Sequence, residues 1–266
     1  FLSGGIDSSV VTATLTQNQP PQTVRTFAIH FGKGYPNELD FARQVATHCR
    51  TNHTEVLVRP QDFLPRLRQI IAYLDAPIGD PITVPNFELA RQAAQEVRWV
   101  FNGEGGDPCF GGPKNLPMLL AHWYGGVERG PRFREQAYLA SYKRGYEDLA
   151  ATLSPELWQQ IDPERDLEAI LTPYFSASQP QLLLHKLLWI NISLKGGYLI
   201  LPKVERMTSA CGLTAFSPLF DERLVELGLR MPGFMKLAGG IEKIVLKTAY
   251  QDALPTRIIE RPKSGM

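Results

Sequence analysis

Seven residues near the start of the chain carry the densest chemistry: Ser3, Gly4, Gly5, Ile6, Asp7, Ser8 and Ser9. They follow the apolar pair Phe1-Leu2 and lead into Val10-Val11-Thr12-Ala13-Thr14-Leu15, the layout of a strand end, a tight turn and a helix start. Adjacent glycines let a backbone turn sharply and approach a ligand closely. Ser8 and Ser9 set hydroxyls beside the N–H groups of a helix start, where the dipole also favours an anion. Asp7 by itself would repel a phosphate, so its expected use is to hold a divalent cation that phosphate oxygens share. A serine-rich helix cap behind a glycine turn is the bland alternative, but five of the seven residues suit a phosphate. Further along, Asn102-Gly103-Glu104-Gly105-Gly106-Asp107-Pro108-Cys109-Phe110-Gly111-Gly112 brings two carboxylates three residues apart among five glycines. Glu104 there is a candidate general base or charge stabiliser.

Both clusters need strand ends to hold them. Residues 23–30, 53–58 and 97–102 read as strands, and residues 36–49, 85–96 and a stretch from Pro60 have helical spacing. Strands separated by such helices predict βαβ units and a parallel sheet with helices on both faces. Ligands of these sheets bind at the carboxyl ends of the strands, where both clusters fall. Beyond residue 113 strand signals vanish. Residues 116–124, 132–151, 179–194, 199–211, 222–230 and 241–253 favour helix, and 152–177 reads as a short helix and loops.

Composition narrows the function. With 266 residues, 44% of them hydrophobic, the chain can bury one good-sized core or two small ones. Lys and Arg number 28 against 27 Asp and Glu, with no basic run, which argues against a nucleic-acid track. Cys49, Cys109 and Cys211 lack metal or disulfide spacing and read as reduced, mostly buried thiols of a cytoplasmic protein. No apolar run reaches membrane-spanning length, no signal-peptide pattern opens the chain, and both ends read as cut from something longer. The five histidines show no metal spacing, and His30, at a strand end, reads as structural.

The string from Ser3 to Ser9 resembles the PP-loop (SGGxDS) of the N-type ATP pyrophosphatases, and its wording is closest to the asparagine synthetase branch. No Walker A pattern is present. The resemblance implies an adenine nucleotide α-hydrolase-like α/β fold, ATP cleaved between its α- and β-phosphates, and pyrophosphate held by Ser3, Gly4, Gly5, Asp7, Ser8 and Ser9. Beside such a loop, Asp107 completes a Mg²⁺ site with Asp7, so the two carboxylates are expected to face each other across one crevice. The segment from Gly103 resembles the G-E-G-[SA]-D-E-x-F-G-G motif of asparagine synthetases and β-lactam synthetases. That likeness ties Glu104 to forming and using an acyl-adenylate. It also points to Phe1, Ile29, Asn102 and Gly103 as backbone contacts for adenine and ribose. Arg261-Pro262-Lys263-Ser264-Gly265 resembles the family's C-terminal [RK]-x-K-x-G, which makes Lys263 the cation offsetting phosphate charge. Residues 261–266 carry little apolar anchorage, so few buried contacts are expected to hold them.

Departures from the family pattern are Pro108, Ala76, Thr214 and Phe216, the last two standing where a Glu and an Arg are usual. The family implies amide-bond formation through an acyl-AMP, with a small-molecule or peptide carboxylate as substrate and ammonia or an amine as nitrogen donor. A β-lactam or macrolactam synthetase-like ligase is one alternative, and an ATP-binding homologue without ligase activity is another. The expected organisation is a nucleotide-binding α/β core over residues 1–113 and a helical part over 114–266 that returns to the active site. No glutaminase domain with its cysteine nucleophile is recognised in these residues. No nucleic acid or membrane partner is expected, and a homo-oligomer is compatible with the sequence.

Overall fold

The β-branched and aromatic run Arg25-Thr26-Phe27-Ala28-Ile29-His30 forms β1 (Arg25–His30). In the computed structural model, β1 pairs in parallel with β2 (Asn52–Leu57), Arg25 opposite Asn52 and His30 opposite Leu57. The structure describes residues 1–76, 78, 80–124, 130–142 and 146–262. Around these strands lie α1 (Ile6–Gln17), α2 (Leu39–His48), α3 (Pro60–Ile70) and α4 (Thr83–Ala93). The α3 helix begins on Pro60, whose fixed φ suits a first helical position and whose missing N–H is not needed there. Next come β3 (Trp99–Phe101) and the short α5 (Gly106–Phe110).

The sheet differs from the single parallel sheet that the alternation predicts. The described residues form two two-stranded parallel sheets and one antiparallel pair. Phe1 and Leu2 join the two parallel sheets through main-chain bonds: Leu2 N donates to Phe27 O at 2.9 Å and Phe1 N to Phe101 O at 2.6 Å. Successive residues of a strand point to opposite faces, and both faces of β1 are covered. Phe27 is buried with Leu89, Ala90 and Ala93 of α4, whereas Ala28 is buried with apolar residues of α1 and α2.

The second half is mostly helical: α6 (Asn115–Tyr124), α7 (Phe133–Ala140), the single turns α8 (Leu149–Thr152) and α9 (Pro155–Trp158), and α10 (Pro163–Ser176). The 14-residue α10 falls where a short helix and loops were expected. Its N-cap Asp162 accepts from Arg165 N, and buried Lys186 closes its other end by donating to the carbonyls of Phe175 and Ala177. From Leu183 the chain runs as one rod: α11 (Leu183–Ile190), a π-helical stretch (Asn191–Ile200) and α12 (Leu201–Ser209). Pro202 has no N–H to return to the carbonyl four residues back, which favours the wider turns before it.

Strands do return after residue 113. β4 (Thr214–Phe216) pairs in parallel with β3, Val100 opposite Ala215. After α13 (Glu222–Arg230), β5 (Leu237–Ala238) and β6 (Ile241–Glu242) make a hairpin around Gly239-Gly240, a two-residue turn flanked by apolar residues. Helix α14 (Ile244–Ala249) therefore starts later than the spacing suggested, and α15 (Thr256–Ile259) follows. No helix among the described residues is long and apolar enough to cross a membrane. All three cysteines are free; Cys109 is buried and the other two are partly so.

Candidate active site

Three carboxyl-end segments open on one cavity of about 390 Å³, within the roughly 300–1,000 Å³ usual for small-molecule sites. Its apolar lining includes Phe1, Leu2, Phe27, Ile29, Leu39 and Leu89, and its polar lining includes Ser3, Asp7, Ser8, Asn102, Glu104 and Asp107. Of the residues singled out in the sequence, Phe1, Ser3, Gly5, Asp7, Ser8, Ile29, Asn102, Gly103, Glu104 and Asp107 all line it. Gly4 and Ser9 do not. Gly4, at φ +78°, packs so close to α2 that a Cβ would lie 2.5 Å from Phe41 and Ala42. Ser9 is fully buried and donates its hydroxyl to Gly5 O at 2.8 Å, so it shapes the turn instead of facing the cavity. Lys263 lies outside the described residues.

The turn is knitted by its own serines. Ser3 N donates to Ser8 Oγ at 3.1 Å, Gly5 N to Ser3 Oγ at 3.2 Å, and Ser8 Oγ to Gly5 O at 3.2 Å. Helix α1 has no side-chain N-cap bond, and the N–H groups of its first turn have no partner within the helix. The second loop is equally tight. Asn102 Oδ1 accepts from Glu104 N at 2.9 Å, and Asn102 N donates to Phe216 O at 3.0 Å. A Cβ on Gly106 would fall 2.0 Å from Asp7 Oδ1, so glycine there lets the two loops meet.

Asp7 and Asp107 do come together, and a lysine lies between them. Lys243 Nζ contacts Asp7 Oδ2 at 2.5 Å and also ion-pairs with Asp107. Lys243 is fully buried and sits in the left-handed region at φ 56°. Sequence reasoning gave it no role. The Gly239-Gly240 hairpin turn was the available signal, because it starts a short strand that ends at Glu242, just before Lys243. A second buried pair lies on the helical wall: Lys203 Nζ donates to Asp80 Oδ2 at 2.6 Å, and both line the cavity. Behind the turn, Arg261 pairs with Glu38, donates to Gly4 O at 3.3 Å and stacks 3.8 Å from the Phe41 ring centroid. Residue 261 is thus held by several contacts; residues 263–266 of the segment expected to be weakly anchored lie outside the described residues.

The donor set suits magnesium bound together with phosphates. The cavity wall carries five carboxylates (Asp7, Glu38, Asp80, Glu104 and Asp107) and two lysines, Lys195 and Lys203; four of the carboxylates are paired with Lys203, Lys243 or Arg261. A polyphosphate brings further negative charge beside them and needs a cation with it. Mg²⁺ typically takes one or two carboxylates plus phosphate oxygens and water, and Asp7 with Asp107 supplies that number. Among the described residues no group of three or more His, Cys, Asp and Glu forms a self-sufficient metal site.

Of the departures from the family pattern, Pro108 lines the cavity, whereas Thr214 and Phe216 do not. Phe216 instead stacks on Phe101, ring centroids 5.3 Å apart.

The asparagine synthase family model matches residues 1–266. The chain is 24% identical to glutamine-hydrolyzing asparagine synthetase 1 of Bacillus subtilis strain 168, over 100% of this chain and 45% of that protein. It is 24% identical to the glutamine-hydrolyzing asparagine synthetase of Gallus gallus and 26% identical to that of Rattus norvegicus, in each case over 100% of this chain and 38% of the relative. The chain therefore spans less than half the length of these relatives. With a family model matched from end to end and the two motif loops meeting in one cavity, this chain belongs to the asparagine synthase family.

Proposed function

We propose that this chain is the synthetase part of an AMP-forming amide ligase that joins a carboxylic acid to ammonia or an amine. The observation that carries the reading is the convergence of the Ser3–Ser8 turn, Glu104 and Asp107 on one part-apolar, part-charged cavity. On this reading residues 1–113 form a PP-loop nucleotide core, and residues 114–266 shape the acid site and return β4 to β3. The three free thiols suit a reducing compartment, and we place the protein in the cytoplasm.

The apolar lining at Phe1, Ile29 and Leu89 receives the adenine, and the first turn of α1 receives phosphate oxygens. Asp7 and Asp107 would hold Mg²⁺, which when bound neutralises charge on the phosphates. An oxygen of the acid bonds to the α-phosphorus, the α–β bridging P–O bond breaks, and pyrophosphate leaves. The nitrogen donor then bonds to the acyl carbon, the acyl–oxygen bond breaks, and AMP leaves with that electron pair. We assign Glu104 the proton that the nitrogen loses in this step. We assign Lys263 to the charge that develops at the α-phosphate. Its neighbour two residues back, Arg261, touches Gly4 O of the turn, which supports that assignment.

Of the departures that favour a lactam-forming alternative, Thr214 and Phe216 do not line the cavity and Pro108 does, so only Pro108 bears on that alternative. The test is pyrophosphate release from ATP in the presence of a panel of carboxylic acids. Wild-type protein should release pyrophosphate with at least one acid and not without it. Glu104→Gln should bind ATP normally and lose roughly 10²–10⁴-fold in amide formation. Absence of acid-dependent release in the wild type, or full amide formation by the variant, would remove the reading.

A further inference from the structure

Between α3 and α4 lies a second cavity of about 420 Å³, as large as the one on which the motif loops converge. It opens at the carboxyl end of β2, where Leu57 and Val58 give way to Arg59. Ligands of parallel sheets bind beside such strand ends. Helix α4 is the wall between the two cavities. Asn86 and Leu89 line the first, whereas Val84, Glu88 and Arg91, spaced i, i+4 and i+7 on another face, line the second. No residue of the sequence motifs reaches this second cavity.

Three guanidiniums and two carboxylates line it, and they divide into a closed set and an open one. Glu88 closes the first set. One of its oxygens contacts Arg66 Nε, and the other accepts from Arg91 Nε at 3.0 Å and from Arg91 Nη2 at 2.8 Å. Arg66 also donates to Gln69 Oε1, and its guanidinium stands 5.7 Å from the Phe87 ring centroid. Both guanidiniums are thereby fixed. Arg59 and Asp62, three residues apart at the start of α3, are the open set. Among the described residues neither makes a salt bridge, although each lines the cavity with the opposite charge to the other. Both are exposed at the rim, and the apolar floor beneath them includes buried Val58 and Val84.

We propose that this second cavity binds a free α-amino acid with an apolar side chain. Arg59 takes the carboxylate in a charge-assisted, two-bond contact, Asp62 takes the ammonium, and the side chain lies over Val58 and Val84. Such a ligand brings one charge of each sign, which is what the open pair lacks. A simple carboxylic acid would leave Asp62 without a cation. A simple amine would leave Arg59 without an anion and meet a wall on which guanidiniums outnumber carboxylates three to two. Neither Arg59 nor Asp62 has to break an ion pair to receive the ligand. The site stands apart from the motif loops, and the inference holds whatever reaction the first cavity performs.

The experiment is calorimetric titration of the whole chain with L-leucine and with two analogues, 4-methylpentanoate (no ammonium) and 3-methylbutylamine (no carboxylate). L-Leucine should bind saturably, one molecule per chain, and each analogue at least about tenfold more weakly, since each loses one charged contact. Arg59→Gln and Asp62→Asn should each raise the Kd for L-leucine about tenfold. Both changes lie at the exposed rim, so circular dichroism should show both variants folded. Glu104→Gln, in the first cavity, should leave that Kd within about twofold, as should saturation with Mg·ATP. Absence of saturable binding of L-leucine would overturn the proposal, as would equal affinity for either analogue or a Kd unmoved in both rim variants. Binding lost in Glu104→Gln or displaced by Mg·ATP would place the amino acid in the first cavity and overturn it as well.

Discussion

Lys243 holds a conformation that most side chains avoid, φ 56°, and such positions persist only where surrounding structure over-determines them. Here the determinant is electrostatic. A fully buried ammonium meets two carboxylates from two loops, so its desolvation is offset by the ion pairs it makes. Replacing it by methionine keeps the volume and removes the charge, leaving Asp7 and Asp107 to repel each other across a short gap. Lys243→Met should therefore destabilise the fold by about 3 kcal/mol and weaken ATP binding, since the phosphates would meet a more negative wall. Urea denaturation and nucleotide titration of the variant measure both; a loss below about 1 kcal/mol would reduce Lys243 to a surface-like pair. Residue types alone revealed Asp7, Glu104 and Asp107, because their loops carry glycine and serine signatures. Lys243 and Lys195 carry no such signature: a lysine in a helical pattern is ordinarily solvated, and what distinguishes these two is where the fold returns them.

At the scale of elements, the β5–β6 hairpin is pinned at both ends by buried lysines. Lys243 follows β6, and Lys236 precedes β5, with its Nζ 2.8 Å from both His185 Nε2 and Met231 O. Burial brings the Lys236 pKa down from 10.5 to about 8. His185 is also held low, by burial and then by the lysine charge, so it accepts the lysine's hydrogen bond as the neutral imidazole. A lysine whose folded pKa is depressed binds fewer protons folded than unfolded between those two values. Stability should therefore rise with pH from about 8 toward 10.5; below that window the cost of burying the charged lysine is fully present and adds no pH dependence. The difference in unfolding free energy between wild type and Lys236→Met, measured at pH 7.5 and again at pH 9.5 (roughly two units of a 1.36 kcal/mol slope at most), isolates the effect. A difference that stays flat would show that Lys236 titrates normally. Alternation and helical spacing made β1, β2, β3 and their helices legible. They missed β4, no longer than β3 but without the longer β-rich run that surrounds β3, and the hairpin, whose strands are two residues long, too short for a period-2 pattern to register. They also missed the continuity of 183–209, which reads as two helices over 179–194 and 199–211, whereas the chain crosses the gap, with Gly196 and Gly197 in it, in wider turns.

Across the whole molecule, the site is assembled from segments far apart in sequence: the Ser3–Ser8 turn, the loop after β3, the π-helical wall, Lys243 and Arg261. Nothing local dictates that convergence: the loops could be read from residue types, whereas the return of residues 114–266 to the site is implied only by the family resemblance, which does not single out Lys243 or Arg261 for it. Arg261 is the far end of this arrangement. It stacks on Phe41 and pairs with Glu38 at the start of α2 and donates to Gly4 O, so the segment after α15 is tied to α2 by two contacts and to the turn that begins the site by one. Leu254 and Ile258 also bury into the core beside α1 and α2. Two mechanisms therefore compete to hold this segment: apolar burial of α15 and the polar contacts of Arg261. Removing the guanidinium separates them. In Arg261→Met the stem still packs on Phe41, while the charged bonds to Glu38 and Gly4 O, worth roughly 1.5–3 kcal/mol each at most, are lost. Amide hydrogen exchange should then speed up about tenfold or more over residues 256–262 and over the Ser3–Ser8 turn, with exchange in the α10–α11 region unchanged. ATP binding should weaken in parallel, because the turn would no longer be braced from behind. Exchange that stays at the wild-type rate in both segments would mean that Leu254 and Ile258 hold the segment alone and that Arg261 adds nothing to the site.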